Sequence, residues 1–207
     1  MWKNRTNHVM NEILDIFRSH KGYAFLKTLK QKGVHVDQIR KLLNDGIIEK
    51  IKPGLYKLVD IPISAQQGMI DICLAMPRAV ICLHSALSYY ELTTTVPVII
   101  MAALPRNSKP VKIFYPPVQV FKFSDQYYYH GIKKVNTEFG TLRIYDIEKT
   151  LVDCFRFRKK LGEDVAREGL KNYLSQSNYD LNKLIQYAKK GRAYQIMKPY
   201  LEALIIS

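Results

Sequence analysis

The chain is short of acids, of cysteine and of long apolar runs. Eighteen Asp and Glu stand against 32 Lys and Arg, a formal charge of +14 over 207 residues. Such an excess favours binding to nucleic acid or another acidic partner and does not by itself indicate chemistry. No run of eighteen apolar residues occurs, so no membrane-spanning helix is expected. The opening MWKNRTNHVMNEIL is basic but lacks an apolar core followed by a small-residue cleavage site, so no secretory signal is expected. Cys73, Cys82 and Cys154 are odd in number and lack metal-type spacing, which suits buried thiols in a cytoplasmic protein. A phosphate loop, a dinucleotide fingerprint, CxxC and HExxH are all missing. There is no internal repeat and no low-complexity tract.

What is present is globular in composition, 47% hydrophobic and 24% charged, in a length that suits one large domain or a small one plus a medium one. The charge divides as +6 over residues 1–60, +4 over 61–145 and +4 over 146–207. It is densest in the first third.

That third carries the clearest pattern. In Tyr23–Val59, Phe25, Leu26 and Leu29 share one helical face, Lys32-Gly33 breaks the period, and Val36–Asn44 forms a second amphipathic segment. Val36, Ile39, Leu42 and Leu43 make its apolar stripe. Asp37, Lys41 and Asn44 oppose it, with Gln38 and Arg40 on the flanks. Asp45-Gly46 stops this helix, and IIEKI, Lys52-Pro53-Gly54 and LYKLV then read as a hairpin. A first helix over 4–19, capped by Thr6 or Asn7, would bring Val9, Ile13, Leu14 and Phe17 inward. The sum is a winged helix-turn-helix over residues 1–60, whose second helix can enter a DNA major groove. Gln38, Lys41 and Asn44 are the expected base readers, His35 and Arg40 contact backbone or bases, and Lys50, Lys52 and Lys57 grip phosphates.

Val59–Ser64 reads as a linker: Pro62 disfavours helix before it and Ser64 can cap one after it. Residues 61–207 alternate helix and strand: a helix to Met76, a strand at 79–83, a short helix at 84–92 and an apolar strand at 96–103. Half-exposed strands follow at 111–114 and 118–123, then a hairpin at 132–136 and 141–145. From Asp146 the pattern turns helical, with further helices at 163–174, 181–189 and 192–206. The expected fold class is α+β: the N-terminal winged helix-turn-helix domain, then a mixed α/β domain ending in a helical bundle.

Few side chains gather for chemistry. Tyr145–Thr150 holds two acids and a lysine, but a metal nuclease wants a residue between its last acid and its lysine, and Glu148 and Lys149 are adjacent. Asp146 fits better as a helix N-cap with Glu148 and Lys149 solvated in the first turn. His84-Ser85 lacks the glycines of a nucleophile elbow, so Ser85 reads as a cap. Tyr127-Tyr128-Tyr129-His130, read as a strand, exposes at least one face: a stacking or docking platform, or a hairpin packed on helices. Arg156, Arg158, Lys159 and Lys160 form a second basic surface, able to bind phosphate or to complement a helix dipole. No catalytic residue, metal ligand or cofactor is expected.

Three stretches together resemble the AbiEi-type antitoxins, the regulator halves of bacterial abortive-infection toxin–antitoxin pairs. They are the ribbon Gly46–Tyr56, His84-Ser85-Ala86-Leu87 with Leu92-Thr93, and Ile144–Phe155 followed by Arg158 and Leu161-Gly162. The resemblance implies repression of its own promoter through the winged helix, and a C-terminal domain that counters a nucleotidyltransferase-type toxin without a stable complex. The chain then reads as a cytoplasmic, non-enzymatic autorepressor, a monomer in solution, that binds double-stranded promoter DNA expected to be an inverted repeat with one monomer per half-site. Family wings often carry Arg before the Gly where this chain has Lys52-Pro53-Gly54. Lysine lacks the guanidinium fork, which points the tip at phosphate rather than into a minor groove. Two rival readings remain: a metal-dependent nuclease delivered by the winged helix, and a nucleic-acid or protein interaction module without repression.

Overall fold

A computed structural model describes residues 2–61 and 66–205. Pro62, Ile63 and Ser64, on which the expected linker and helix cap partly rest, lie outside the described residues. The fold is mixed α+β, with two sheets and eleven helices among the described residues.

The first sheet is built around one helix pair. Helix α1 (Trp2–Ser19) starts earlier than expected, so Thr6 and Asn7 lie inside it rather than capping it. It buries Ile13 and Phe17. Strand β1 (Tyr23–Phe25) follows, then α2 (Leu26–Gln31), α3 (Val36–Asn44), β2 (Ile48–Lys52) and β3 (Leu55–Leu58). The sheet order is β1-β3-β2, both pairings antiparallel. Tyr23–Phe25, expected as the start of a helix, is a strand because β3 offers a free edge: Tyr23 pairs opposite Lys57 and Phe25 opposite Leu55. That pairing satisfies backbone groups that would otherwise be left unpaired beside the core. Leu29, Val34, Ile39, Leu42, Ile48 and Tyr56 close around Ile13 and Phe17.

The second sheet runs in the order β6-β5-β4-β8-β7. Its members are β4 (Val80–Ile81), β5 (Ile100–Pro105), β6 (Val118–Phe123), β7 (Ile132–Asn136) and β8 (Thr141–Tyr145). Pairs β5–β6 and β4–β8 are parallel, β4–β5 and β7–β8 antiparallel. Successive side chains alternate between faces. Ile81, Ala102 and Ile144 meet helix α4 (Gln67–Ala75) on one side. Val80, Ala103 and Tyr145 meet α5 (Leu83–Tyr89) and the C-terminal helices on the other. Those helices are α7 (Ile147–Arg156), α8 (Arg158–Leu161), α9 (Glu163–Leu174), α10 (Leu181–Lys190) and α11 (Tyr194–Ile205).

Three expectations are corrected. The strand expected at 111–114 is a loop, and Tyr127-Tyr128 belongs to a short helix, α6 (Asp125–Tyr128). A helical turn sends its side chains in several directions, so Tyr128 is buried and only Tyr129 is largely exposed, which removes the tyrosine platform. Ser85 caps nothing: it is buried inside α5, and its Oγ accepts from the Met101 N–H at 2.9 Å.

The two sheets are tied together. Tyr23, Ile51 and Leu55 of the first pack on Ile70 and Ala75 of α4. Beside them Asp71 accepts from Tyr23 Oη at 2.6 Å and from Lys57 Nζ at 2.8 Å, while Gln67 Nε2 donates to Tyr23 Oη. Burial, then the Asp71 carboxylate, pushes the Tyr23 phenol well above its ordinary pKa.

Candidate nucleic-acid interface

The segment from α2 to β3 holds eight Lys/Arg and three acids. Its turn depends on Gly33, whose φ of +80° lets the Val34 N–H return to the Leu29 carbonyl at 3.0 Å. That closes α2 before α3 begins at Val36. Val34 is buried beneath the turn. The α3 stripe is anchored by Ile39 and Leu42, both buried, whereas Val36 is exposed.

The eight side chains expected to contact DNA divide into groups. Lys41 and Asn44 are exposed, and among the described residues neither is held by a side-chain hydrogen bond or ion pair. Lys50 is exposed on β2 and Lys52 is half-buried at the hairpin tip. Arg40 is exposed but leans on Asp37 at 3.0 Å, a surface pair worth under about 1 kcal/mol and easily exchanged for a phosphate. His35 is the N-cap residue of α3, and its backbone N–H donates to Gln38 Oε1 at 2.7 Å. That bond uses the acceptor Gln38 would need for a bidentate contact with adenine, leaving it only its amide donors.

Lys57 is a correction. It is 8% exposed, and its ammonium lies 2.7 Å from Glu49 and 2.8 Å from Asp71. Burial alone would lower its pKa, but the two carboxylates outweigh it and hold the pKa above the ordinary lysine value. A lysine so engaged grips the neighbouring helix, not a phosphate. The hairpin pattern puts it within reach of phosphates; it shares a strand face with the buried Leu55, and the arrival of α4 against that face, a long-range event, is what buries it.

Sequence reasoning passed over Lys27, Lys30 and Lys32, which are exposed on α2 and its turn. Their spacing of three was the available signal, since it places Lys27 and Lys30 on one helical face.

The second basic surface is smaller than expected. Arg156 stacks on Tyr127, 3.8 Å from the ring centre, and bonds Asp153 at 3.1 Å. Arg158 bonds the Phe155 carbonyl. Lys159 and Lys160 alone of the four are exposed and outside any ion pair among the described residues.

The acid–lysine group is a structural network. Asp146 caps α7 through the Lys149 N–H, as expected, but Glu148 and Lys149 are buried rather than solvated. Lys183 reaches Asp146 at 3.0 Å and Glu148 at 2.8 Å, and Tyr173 and Tyr187 bond the same two carboxylates. Lys149 is 1% exposed, pairs with Asp153 and lies 3.6 Å from the centre of the Tyr127 ring. Burial lowers its pKa against the opposing pull of Asp153. Among the described residues no three His, Cys, Asp or Glu side chains are placed to hold a metal, and no helix is long and apolar enough to cross a membrane.

No protein-family model and no curated protein matches the chain. A solved structure does. The RV2827C protein from Mycobacterium tuberculosis is similar over 92% of this chain and 74% of its own, with a TM-score of 0.66 at 13% identity. At that identity the likeness concerns the fold alone.

Proposed function

We propose that the chain is a DNA-binding transcriptional autorepressor and antitoxin of the AbiEi type. The element order α1-β1-α2-α3-β2-β3 with sheet order β1-β3-β2 supports reading residues 1–60 as a winged helix-turn-helix, with α3 as the recognition helix. The observation that carries the DNA-binding half is the outer face of α3. Lys41 and Asn44 stand there unengaged, beside a hairpin whose Lys50 is exposed. The antitoxin half rests on the sequence resemblance. It casts the chain as countering a nucleotidyltransferase-type toxin without a stable complex. We further read the chain as a cytoplasmic monomer, one copy per half-site of an inverted repeat.

The deciding experiment is a salt-titrated binding assay on the promoter upstream of the gene, beside a scrambled duplex of equal length. Tight binding to the promoter that survives moderate salt is expected. Equal, steeply salt-dependent binding to both would reduce the +14 charge to a nonspecific hold and sink the repressor reading. The antitoxin half is tested by co-expression with the neighbouring toxin gene, where restored growth is expected and continued arrest refutes it.

A further inference from the structure

Residues 92–124 contain four cations, Arg106, Lys109, Lys112 and Lys122, and not one carboxylate. Most of this charge lies in the loop that joins β5 to β6. The loop does not hang free over its own sheet; it is fastened to the hairpin of the first one. The Phe114 N–H donates to the Ile51 carbonyl at 2.8 Å, on the edge of β2 that faces away from β3. Lys122 bonds the Ser108 carbonyl and so ties the loop to β6 as well.

This anchoring joins two sets of cations. The Lys50 ammonium lies 5.5 Å from the centre of the Phe114 ring and the Lys112 ammonium 5.8 Å from it. Two like charges therefore share one ring, and Arg106 and Lys109 stand exposed farther along the loop. Among the described residues none of Lys50, Arg106, Lys109 and Lys112 is within ion-pair distance of a carboxylate. Where a carboxylate is near, the chain pairs its cations, as at Lys57, Lys149 and Lys183. The core does not explain the loop's aromatic residues either: Phe114 is 51% and Tyr115 64% exposed. Unpaired cations interleaved with exposed aromatic rings are the surface that a nucleic-acid backbone complements.

We infer that the 106–117 loop is a second DNA-contacting element, a flank of the β2–β3 hairpin that holds the phosphates bordering the site read by α3. The inference rests on the DNA-binding reading above and adds to it a contact from the C-terminal part of the chain. Charge complementarity selects the occupant, since among the described residues no carboxylate pairs with the patch. The contact carries no base information. It lengthens the footprint and steepens the salt dependence.

The test uses the full chain and the triple variant Arg106→Ala/Lys109→Ala/Lys112→Ala, whose three side chains are exposed. Binding is titrated against salt on a long promoter duplex, on the same duplex trimmed to the inverted repeat, and on a scrambled long duplex. Each phosphate contact adds about 0.9 to the log–log salt slope, so the variant should lose about 2–3 from the slope on both long duplexes. Its affinity there should fall at least about tenfold, with little change on the trimmed one. An unchanged slope on the long duplexes overturns the inference and leaves the α3 reading standing. Equal losses on long and trimmed duplexes overturn the flanking placement. Tighter binding of wild type to an RNA duplex of the same sequence overturns the choice of DNA. Failure of the α3 reading shows separately, as wild type binding promoter and scrambled duplex alike.

Discussion

Lys41 and Lys57 carry the same charge and lie sixteen residues apart, yet their substitutions should be read out by different instruments. Lys41→Ala removes an exposed head group on α3 and should leave folding untouched. It should lower promoter affinity and cost roughly 1–3 kcal/mol of discrimination against a mismatched site, as should Asn44→Ala. Lys57→Met should do the reverse. It leaves the buried Asp71 carboxylate without its cation, at a cost on the order of 3 kcal/mol in a denaturant titration, while the DNA salt slope stays the same. Adding Asp71→Asn should recover part of the loss, because Tyr23 keeps its acceptor and no charge is stranded. The Glu148 carboxyl gives a pH signature. Burial would raise its pKa, but Lys183 and Tyr173 hold it below the ordinary value. A depressed carboxylate contributes stability above its unfolded pKa of about 4.3 and loses it as pH falls through the folded one. Glu148→Gln should therefore be less stable than wild type at neutral pH and show a flatter decline below about pH 4.

At the scale of the element, the α2–α3 turn depends on backbone geometry more than on contacts. Nothing lies within 4 Å of a Cβ built on Gly33, so Gly33→Ala would meet no neighbour. Its φ of +80° is nevertheless left-handed, and the substitution should cost about 1–2 kcal/mol, with Gly33→Asn costing less. Thermal unfolding of the three proteins in parallel checks this ordering. Elements of this kind were legible in the sequence. The β7–β8 hairpin and α9 fall where their patterns put them, and α3 and the β2–β3 hairpin do so within a residue. All of them are local: a period, a cap, a glycine. Elements set by distant partners were not legible. The three residues of β1 form a strand because β3 lies alongside, and Tyr127-Tyr128 coil into α6 rather than extending as a strand. The same division runs through the candidate interface. Exposure of Lys41 and Lys50 followed from amphipathic spacing, while Lys57, Glu148 and Lys149 are buried by helices remote in sequence.

At the scale of the whole molecule, burial of Tyr23, Lys57 and Asp71 between the first sheet and α4 predicts one unfolding event rather than two. Circular dichroism and tyrosine fluorescence should give coincident denaturant curves for wild type. Asp71→Ala withdraws the acceptor of Tyr23 and one of the two carboxylates of Lys57, and should separate the curves or shift both downward by several kcal/mol.

That junction bears on how such a protein can be recombined. A cut near residue 61, where the expected linker invites one, falls between Lys57 and Asp71, one of the two carboxylates it pairs with. A graft of residues 1–60 onto a foreign body would carry a lysine and a tyrosine already committed to an acid left behind. The foreign body would have to present an acid of its own at the same depth. The portable unit is therefore the first sheet together with α4, and under the proposed repressor reading a change of operator specificity that keeps the rest of the molecule intact is confined to the outer face of α3.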